Sequence, residues 1–182
     1  MKRERLRRLL ESYAPSDLDE IPSKGQMLEF LSNHEDCFER SCEVGHFTAS
    51  AWLLSLDQKE ALLTHHAKLN FWCQLGGHCD GDPDLLRSAI REAQEESGIL
   101  EISPISSEIF DLDIHLIPAN KREKEHFHYD VRFLLQVVSS EKIQLSSESK
   151  DLRWFGQTRA LLPTQHRSII RMFDKWIQRA VR

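Results

Sequence analysis

The stretch that most constrains this chain is "GGHCDGDPDLLRSAIREAQEESGI", residues 76–99, in which a glycine-rich turn leads directly into a short helix. Asp82 is a good N-cap residue, and Pro83 suits the first helical position, where its missing N–H has no partner in any case. We expect the helix to cover Asp84–Ser97 and to stop at Gly98, because glycine readily takes the left-handed conformation that ends helices. The stretch therefore predicts a glycine turn followed by an amphipathic helix.

Three glutamates on this helix require an explanation beyond a solvated acidic face. Glu92 and Glu96 are four residues apart and share a face, with Glu95 on its shoulder, although like charges at this spacing repel by roughly a few tenths of a kcal/mol. A divalent cation with oxygen ligands would offset that repulsion. The bare backbone at Gly76–Gly77 could add a carbonyl oxygen to the coordination. These residues therefore suggest metal-assisted attack of water on a phosphate.

The spacing of these residues resembles the Nudix box, G-x5-E-x7-R-E-U-x-E-E-x-G-U, where U is a bulky aliphatic residue. The box would run from Gly77 to Ile99, and the order of elements around it extends the resemblance to about residues 45–165. Two positions depart from the pattern. Pro83 stands where the box has its first glutamate, which supports the box arginine; Asp82 or Asp84 could supply that support here. Ala93 stands where the box has a bulky aliphatic residue. The matching residues are Gly77, Arg91, Glu92, Glu95, Glu96, Gly98 and Ile99.

The resemblance implies a divalent-metal-dependent hydrolase that cleaves the pyrophosphate linkage of a nucleoside diphosphate linked to another moiety. The expected cofactor is Mg²⁺ or Mn²⁺. By position, Glu92 and Glu96 would be the principal metal ligands, Glu95 a ligand or base, and the Gly76 carbonyl a further ligand. Arg91 would orient the glutamates through a salt bridge.

The resemblance also implies a carboxylate from a later loop, which would act as a metal ligand or as the general base. The sequence offers several candidates for this role and does not rank them. They are Glu123, Glu125, Glu148 and Asp151.

The resemblance and the periodicity together predict an α/β fold, a Nudix-like α/β/α sandwich with a mixed sheet. Residues 1–44 form an N-terminal helical extension packed on the core, with two helices broken near "APSD" and "IPS" and a stripe at Met27, Phe30, Leu31 and Phe38. Residues 45–182 are expected to form the Nudix-like domain that the resemblance implies, in which "HFTASAWLLS" and "EALLTHH" predict a hairpin. A closing amphipathic helix carries Ile169, Phe173, Trp176 and Ala180 beside Ile170, Ile177 and Val181.

Two strand-like segments, "IFDLDIHLIP" and "HFHYDVRFLLQVV", each alternate apolar with ionisable residues, so each strand has one face of either kind. If the ionisable face lies toward the box, Arg132 could clasp a phosphate, while His126 and His128 could donate hydrogen bonds to the substrate and titrate near neutral pH. A solvent-facing orientation satisfies the same alternation. A zinc site built on His126 and His128 would need a third ligand, which the sequence does not identify.

Charge and composition limit the alternatives. The net charge of −5 makes nucleic acid an unexpected partner, and no window is apolar enough to span a membrane. The four cysteines fit reduced thiols in a cytoplasmic protein. The expected partner is a nucleoside-diphosphate-type small molecule, with a homodimer possible. Two alternative functions remain open: a non-catalytic nucleotide-binding or regulatory module on the same fold, and an RNA 5′-end pyrophosphohydrolase, which depends on the basic first helix.

Overall fold

A computed structural model of the protein describes residues 2–68, 70–119 and 124–180. Within these residues the chain forms four α-helices and a short 3₁₀ turn at Arg159–Leu161. The α-helices are α1 (Lys2–Ser12), α2 (Glu20–Asn33), α3 (Leu85–Ser97) and α4 (Arg167–Ala180). Among the described residues, no helix is long and apolar enough to cross a membrane.

The same residues form one mixed sheet, and its central strand makes both parallel and antiparallel pairs. The strands are β1 (Gly45–Leu54), β2 (Glu60–His66), β3 (Trp72–Cys73), β4 (Leu75–His78), β5 (Ile102–Pro104), β6 (Asp111–Ile117), β7 (His126–Val137) and β8 (Ser149–Gly156). Strand β1 is parallel to β7 and antiparallel to β4, and its last residues pair with β2 as the predicted hairpin. Strand β1 therefore lies between β4, which carries the box glycines, and β7, which carries the predicted histidines.

Helices cover both faces of the sheet, which confirms the predicted α/β/α sandwich. On one face, Phe47, Ala49 and Ala51 of β1 share a core with α1, α2 and α3. On the other face, Trp52 and Leu54 share a second core with α4. Alternation along β1 therefore sends neighbouring residues into different cores.

The closing helix carries the predicted stripe. Ile169, Ile170, Phe173 and Trp176 are buried, and Ile177 packs against them half-buried. Val181 and the side chain of Ala180 lie outside the described residues. The stripe packs on β1, β2 and β7. Its apolar residues recur at the helical period, so they lie on one face of the helix, and that face is buried.

The N-terminal helices pack on the first of these cores. Leu6 and Leu10 of α1 and Met27 and Leu31 of α2 are almost inaccessible, and the Phe30 ring stacks on Tyr129 of β7 with centroids 4.0 Å apart. Phe38, predicted to continue the α2 stripe, is buried but lies beyond the end of that helix at Asn33. The division of the chain after residue 44 stays a prediction.

The start of α3 corrects the predicted cap. Asp84, and not Asp82, is the N-cap, with its side chain accepting a hydrogen bond from the Arg87 backbone N–H. Asp82 instead accepts from the Asp84 N–H and pairs with the Arg87 guanidinium at 2.6 Å. Pro83 therefore precedes the helix. The other end agrees with expectation, since Gly98 takes the left-handed conformation with φ 72°.

Candidate active site

The predicted glycine turn is a strand in the structure. Gly76 and Gly77 lie in β4, opposite Ser50 and Ala49 of β1, and the chain turns afterwards at Asp80–Gly81, where φ is positive. Gly76 has a φ of 154°, and a Cβ there would lie 2.3 Å from Ser50 Oγ and 2.7 Å from the Ala49 carbonyl oxygen. Glycine is required at this position because both the backbone conformation and the close approach of β1 exclude a side chain.

The close approach of strand and helix places two glutamates of α3 on the glycine backbone. The N–H of Gly76 donates to Glu96 Oε2 across 2.9 Å. The Glu92 carboxylate lies against Gly77, where a Cβ would come within 2.5 Å of its Oε2. Gly76 and Gly77, which have no side chains, therefore let Glu92 and Glu96 of the helix contact the backbone of one short strand.

Arg91 joins the end of β4 to the glutamates. Its Nη2 donates to the His78 carbonyl oxygen at 2.6 Å and to Glu92 Oε1 at 2.9 Å. Its Nε lies 3.9 Å from Glu95 Oε1 in a longer ion pair. This geometry agrees with an arginine that orients the glutamates through a salt bridge.

The two aspartates considered as replacements for the first box glutamate have other partners. Asp82 pairs with Arg87, and Asp84 pairs with Arg5 of α1. The loop before α3 is therefore held by arginines of the helix and of the N-terminal extension, while the His78 carbonyl supports Arg91.

The electrostatics of Glu96 suit a cation. The side chain is only 5% exposed, and burial raises its pKa to about 8, opposed by the Gly76 hydrogen bond and increased further by Glu92, Glu148 and Glu95. Burial also raises the pKa of Glu92, while Arg91 lowers it. Carboxylate oxygens held together against their own repulsion are the donors that hard divalent ions prefer. The residues therefore fit Mg²⁺ or Mn²⁺.

The later-loop carboxylates can now be separated. Glu148 is exposed, it immediately precedes β8, and its charge reaches Glu96 and raises the pKa of that group. Asp151 pairs with Arg153 at 2.5 Å. Glu125 is exposed at the start of β7, and Glu123 lies outside the described residues. Among the described candidates, these contacts favour Glu148.

Arg132 has a different environment from the one predicted. Its side chain is 2% exposed, its Nε donates to Asp130 Oδ2 at 2.7 Å, and its Nη1 and Nη2 lie 3.0 and 3.1 Å from Asp111 and Asp113. Three carboxylates thus occupy the guanidinium, away from solvent. The predicted phosphate contact of Arg132 is corrected accordingly, because a buried and fully paired guanidinium has no face left for a ligand.

The Arg132 carboxylates belong to a network that the sequence analysis missed. Asp111 also accepts from Arg171 at 2.8 Å and from Lys175 at 2.7 Å, both on α4. Asp130 accepts from Ser50 Oγ at 2.8 Å. The alternating charged residues of β6 and β7 indicate a polar face in the sequence, but they do not show which carboxylate pairs with which cation.

His126 and His128 lie on the same face of β7 as Arg132, and this face is turned into the protein. The solvent-facing orientation of the ionisable face is therefore wrong. His126 is buried, with Nδ1 2.8 Å from the Lys124 carbonyl oxygen. His128 is half-buried, and burial together with the nearby histidines lowers its pKa to about 2. His128 is therefore neutral near pH 7, and the expectation that it titrates there is corrected.

A model of the NUDIX domain family matches residues 45–177. No curated protein shows significant sequence similarity to the chain.

Solved structures share the fold at low sequence identity. A NUDIX-family hydrolase from Clostridium perfringens superposes with a TM-score of 0.53 and 21% identity, covering 73% of this chain and 97% of the other. The C. elegans Ap4A hydrolase in a binary complex gives 0.53 and 19%, covering 74% and 97%. The E. coli dihydroneopterin triphosphate pyrophosphohydrolase gives 0.55 and 14%, covering 73% and 95%. These neighbours establish the architecture that surrounds the glutamates.

Proposed function

Since this chain belongs to the NUDIX domain family over residues 45–177, we propose that it is a divalent-metal-dependent hydrolase of nucleoside diphosphates linked to another moiety. Family membership gives the enzyme class, a Nudix-type pyrophosphohydrolase acting on acid anhydrides. The observation that carries the proposal is the seating of Glu92 and Glu96 against Gly77 and Gly76. This seating collects carboxylate oxygens beside an unshielded backbone, as a hard cation requires.

The residues that would hold Mg²⁺ or Mn²⁺ are Glu92, Glu95, Glu96 and the Gly76 carbonyl. A bound cation would stabilise negative charge on the phosphate and lower the pKa of a coordinated water. Burial favours the protonated form of Glu96, and a bound cation would instead stabilise its carboxylate. Arg91 is a positioning residue, since it fixes Glu92 through one hydrogen bond while a second anchors it to β4.

Glu148 is our candidate for the group that takes the proton from the attacking water. It is exposed, so it can reach solvent and substrate, and its charge is felt at Glu96. The segment is held in place because the Ala67 N–H donates to the Glu148 carbonyl oxygen at 2.8 Å. An exposed carboxylate whose charge acts on a candidate metal ligand, on an anchored backbone, suits general-base work.

The test is a substrate panel assayed with Mg²⁺ and then Mn²⁺. It contains nucleoside triphosphates, nucleotide sugars, dinucleotides and capped RNA, with Ap4A and dihydroneopterin triphosphate included because two structural neighbours are named for them. We expect metal-dependent cleavage of at least one compound by the wild type and by Glu101→Gln, whose exposed side chain is a matched control. Glu96→Gln should lose most turnover and keep its fold. Glu148→Gln should lose turnover where Glu125→Gln does not.

The panel also separates the alternatives. A non-catalytic binding module would bind a nucleotide without any metal-dependent turnover, and near-normal activity of Glu96→Gln would overturn the catalytic assignment. The alternative of an RNA 5′-end pyrophosphohydrolase needs the basic residues of the first helix to be available. In the structure Arg5 pairs with Asp84, and Arg7 donates to Ser32 Oγ at 3.0 Å. These contacts occupy part of the basic surface, so we do not propose RNA as the substrate. A cytoplasmic location and a homodimer stay predictions.

A further inference from the structure

A row of imidazoles crosses the sheet beyond the buried ion-pair network. His78 lies on β4, His46 on β1 and His128 on β7, with His115 of β6 opposite His128. His46 and His128 are neighbours in the parallel β1–β7 register. Their ring centroids are 4.9 Å apart, and His78 lies 5.0 Å from His46 and 5.1 Å from His128. Four strands thus place imidazoles on one patch of the interior face.

Three of these rings bring their nitrogens near the spacing of metal ligands. One ring nitrogen from each of His46, His78 and His128 lies within 4.8 Å of the other two. Zinc binds histidine nitrogen at about 2.0–2.1 Å, so the ligands of a tetrahedral ion are roughly 3.4 Å apart. Small side-chain rotations would close the difference. The three rings are therefore close enough to share one ion.

We propose that His46, His78 and His128 bind a divalent transition-metal ion of the zinc class, at a site separate from the box glutamates. The donor set contains only imidazole nitrogens, which suit zinc, copper, nickel and iron, whereas magnesium and calcium prefer oxygen. Three protein ligands leave the fourth tetrahedral position for a water molecule. This proposal does not rest on the proposed hydrolase activity.

The environment of His128 supports metal binding. His128 Nε2 is buried and, among the described residues, has no hydrogen-bond partner, which is costly for a polar atom unless a ligand satisfies it. Two further histidines border the cluster and have partners of their own: His115 Nδ1 lies 3.2 Å from Asp113 Oδ2, and His126 Nδ1 lies 2.8 Å from the Lys124 carbonyl oxygen. Neither is proposed as a ligand.

An ion at this position would join β1, β4 and β7. His78 follows Gly77 directly, and its carbonyl oxygen accepts from Arg91. The same strand end would therefore be held by the metal through the side chain and by the box arginine through the backbone. We expect the ion to stabilise the fold and to leave the glutamates free for magnesium.

The test titrates Zn²⁺ into EDTA-treated full-length protein by calorimetry, with Mg²⁺ present in excess to occupy oxygen sites. The variants are His78→Gln and His128→Gln, both of half-buried residues. The matched control is His65→Gln, a half-buried histidine that stacks on Trp72 at 5.3 Å and lies outside the cluster. Glu96→Gln serves as the control for the box, and circular dichroism checks that every variant is folded.

We expect one Zn²⁺ per chain for the wild type, His65→Gln and Glu96→Gln, and affinity weaker by about tenfold or more for the two cluster variants. Equal affinity in the cluster variants, loss of binding in Glu96→Gln alone, or no binding by the wild type would each overturn the proposal. If a cluster variant fails to fold, anomalous scattering from wild-type crystals grown with Zn²⁺ decides the question. A peak between the three imidazoles supports the site, and a peak at the glutamates or none refutes it. Retained zinc binding by an inactive Glu96→Gln separates this proposal from the hydrolase one.

Discussion

The backbone N–H of Gly76 donates to Oε2 of Glu96 across 2.9 Å, so the sheet and the helix meet at a buried carboxylate. On its other side Gly76 packs against β1 so closely that a Cβ there would overlap Ser50 Oγ. One hydrogen bond does not compensate for removing a carboxylate from water, and burial keeps the pKa of Glu96 high. The metal-free site is therefore under electrostatic strain that a cation, a proton or an amide substitution can relieve.

The stability of the metal-free protein should depend on pH through Glu96. Its folded-state pKa of about 8 lies above the usual 4.5, so the folded state binds more protons between these values. The stabilisation is complete below about pH 4.5 and is lost as the pH rises through about 8. Between about pH 5.5 and pH 8, we expect the wild type to lose on the order of 3 kcal/mol more than Glu96→Gln, measured by urea unfolding in EDTA. Parallel pH profiles for the two proteins would show that Glu96 ionises normally.

Magnesium should stabilise the wild type by mass action, by about 2.7 kcal/mol when its concentration is 100 times the dissociation constant. Glu92→Gln should abolish most of this shift, because it removes a carboxylate that Gly77 and Arg91 hold in place. Thermal melts with and without Mg²⁺ measure the effect, with Glu101→Gln as the control. An equal shift in wild type and Glu92→Gln would move the magnesium site away from the box.

The two glycines should respond differently to alanine. At Gly77 the three atoms nearest the new Cβ all belong to the Glu92 carboxylate, the first at 2.5 Å, so Gly77→Ala should displace that side chain and lower kcat/KM by about 100-fold while the protein stays folded. At Gly76 the Cβ meets backbone at 2.7 Å and φ is 154°, so Gly76→Ala should cost about 2 kcal/mol or more of stability. Steady-state kinetics and urea unfolding of both variants separate the effects. Equal losses of stability in the two would contradict this distinction.

Arg132→Met should destabilise the protein by about 3–5 kcal/mol, since it removes the cation paired with buried Asp130 and leaves Asp111 and Asp113 to the cations of α4. Arg153→Met is the matched control, because Arg153 is 65% exposed and its pair with Asp151 contributes at most about 1 kcal/mol. Urea unfolding provides the comparison. A stable Arg132→Met protein with a raised KM would restore the role in phosphate binding that the structure argues against.

Much of the site could be predicted from local sequence. The spacing of Glu92, Glu95 and Glu96, the arginine before them and the glycine after the helix are relations within a few helical turns, which the 3.6-residue period fixes without tertiary contacts. The stripe of α4 was predictable for the same reason. The N-cap was not, because Asp82 and Asp84 are equivalent by local chemistry and the partners Arg5 and Arg87 decide between them.

What the sequence by itself determined is the helix that carries the acidic residues and the alternation of residues along each strand. Only the tertiary structure decided which way the alternating strands face, because a period of two is satisfied equally by either side. The parallel pairing of β1 with β7, more than 80 positions apart in register, turned Arg132 inward and set His46 beside His128. Packing against α4 fixes which face of β7 is buried. Contacts between such distant segments leave no trace in local periodicity.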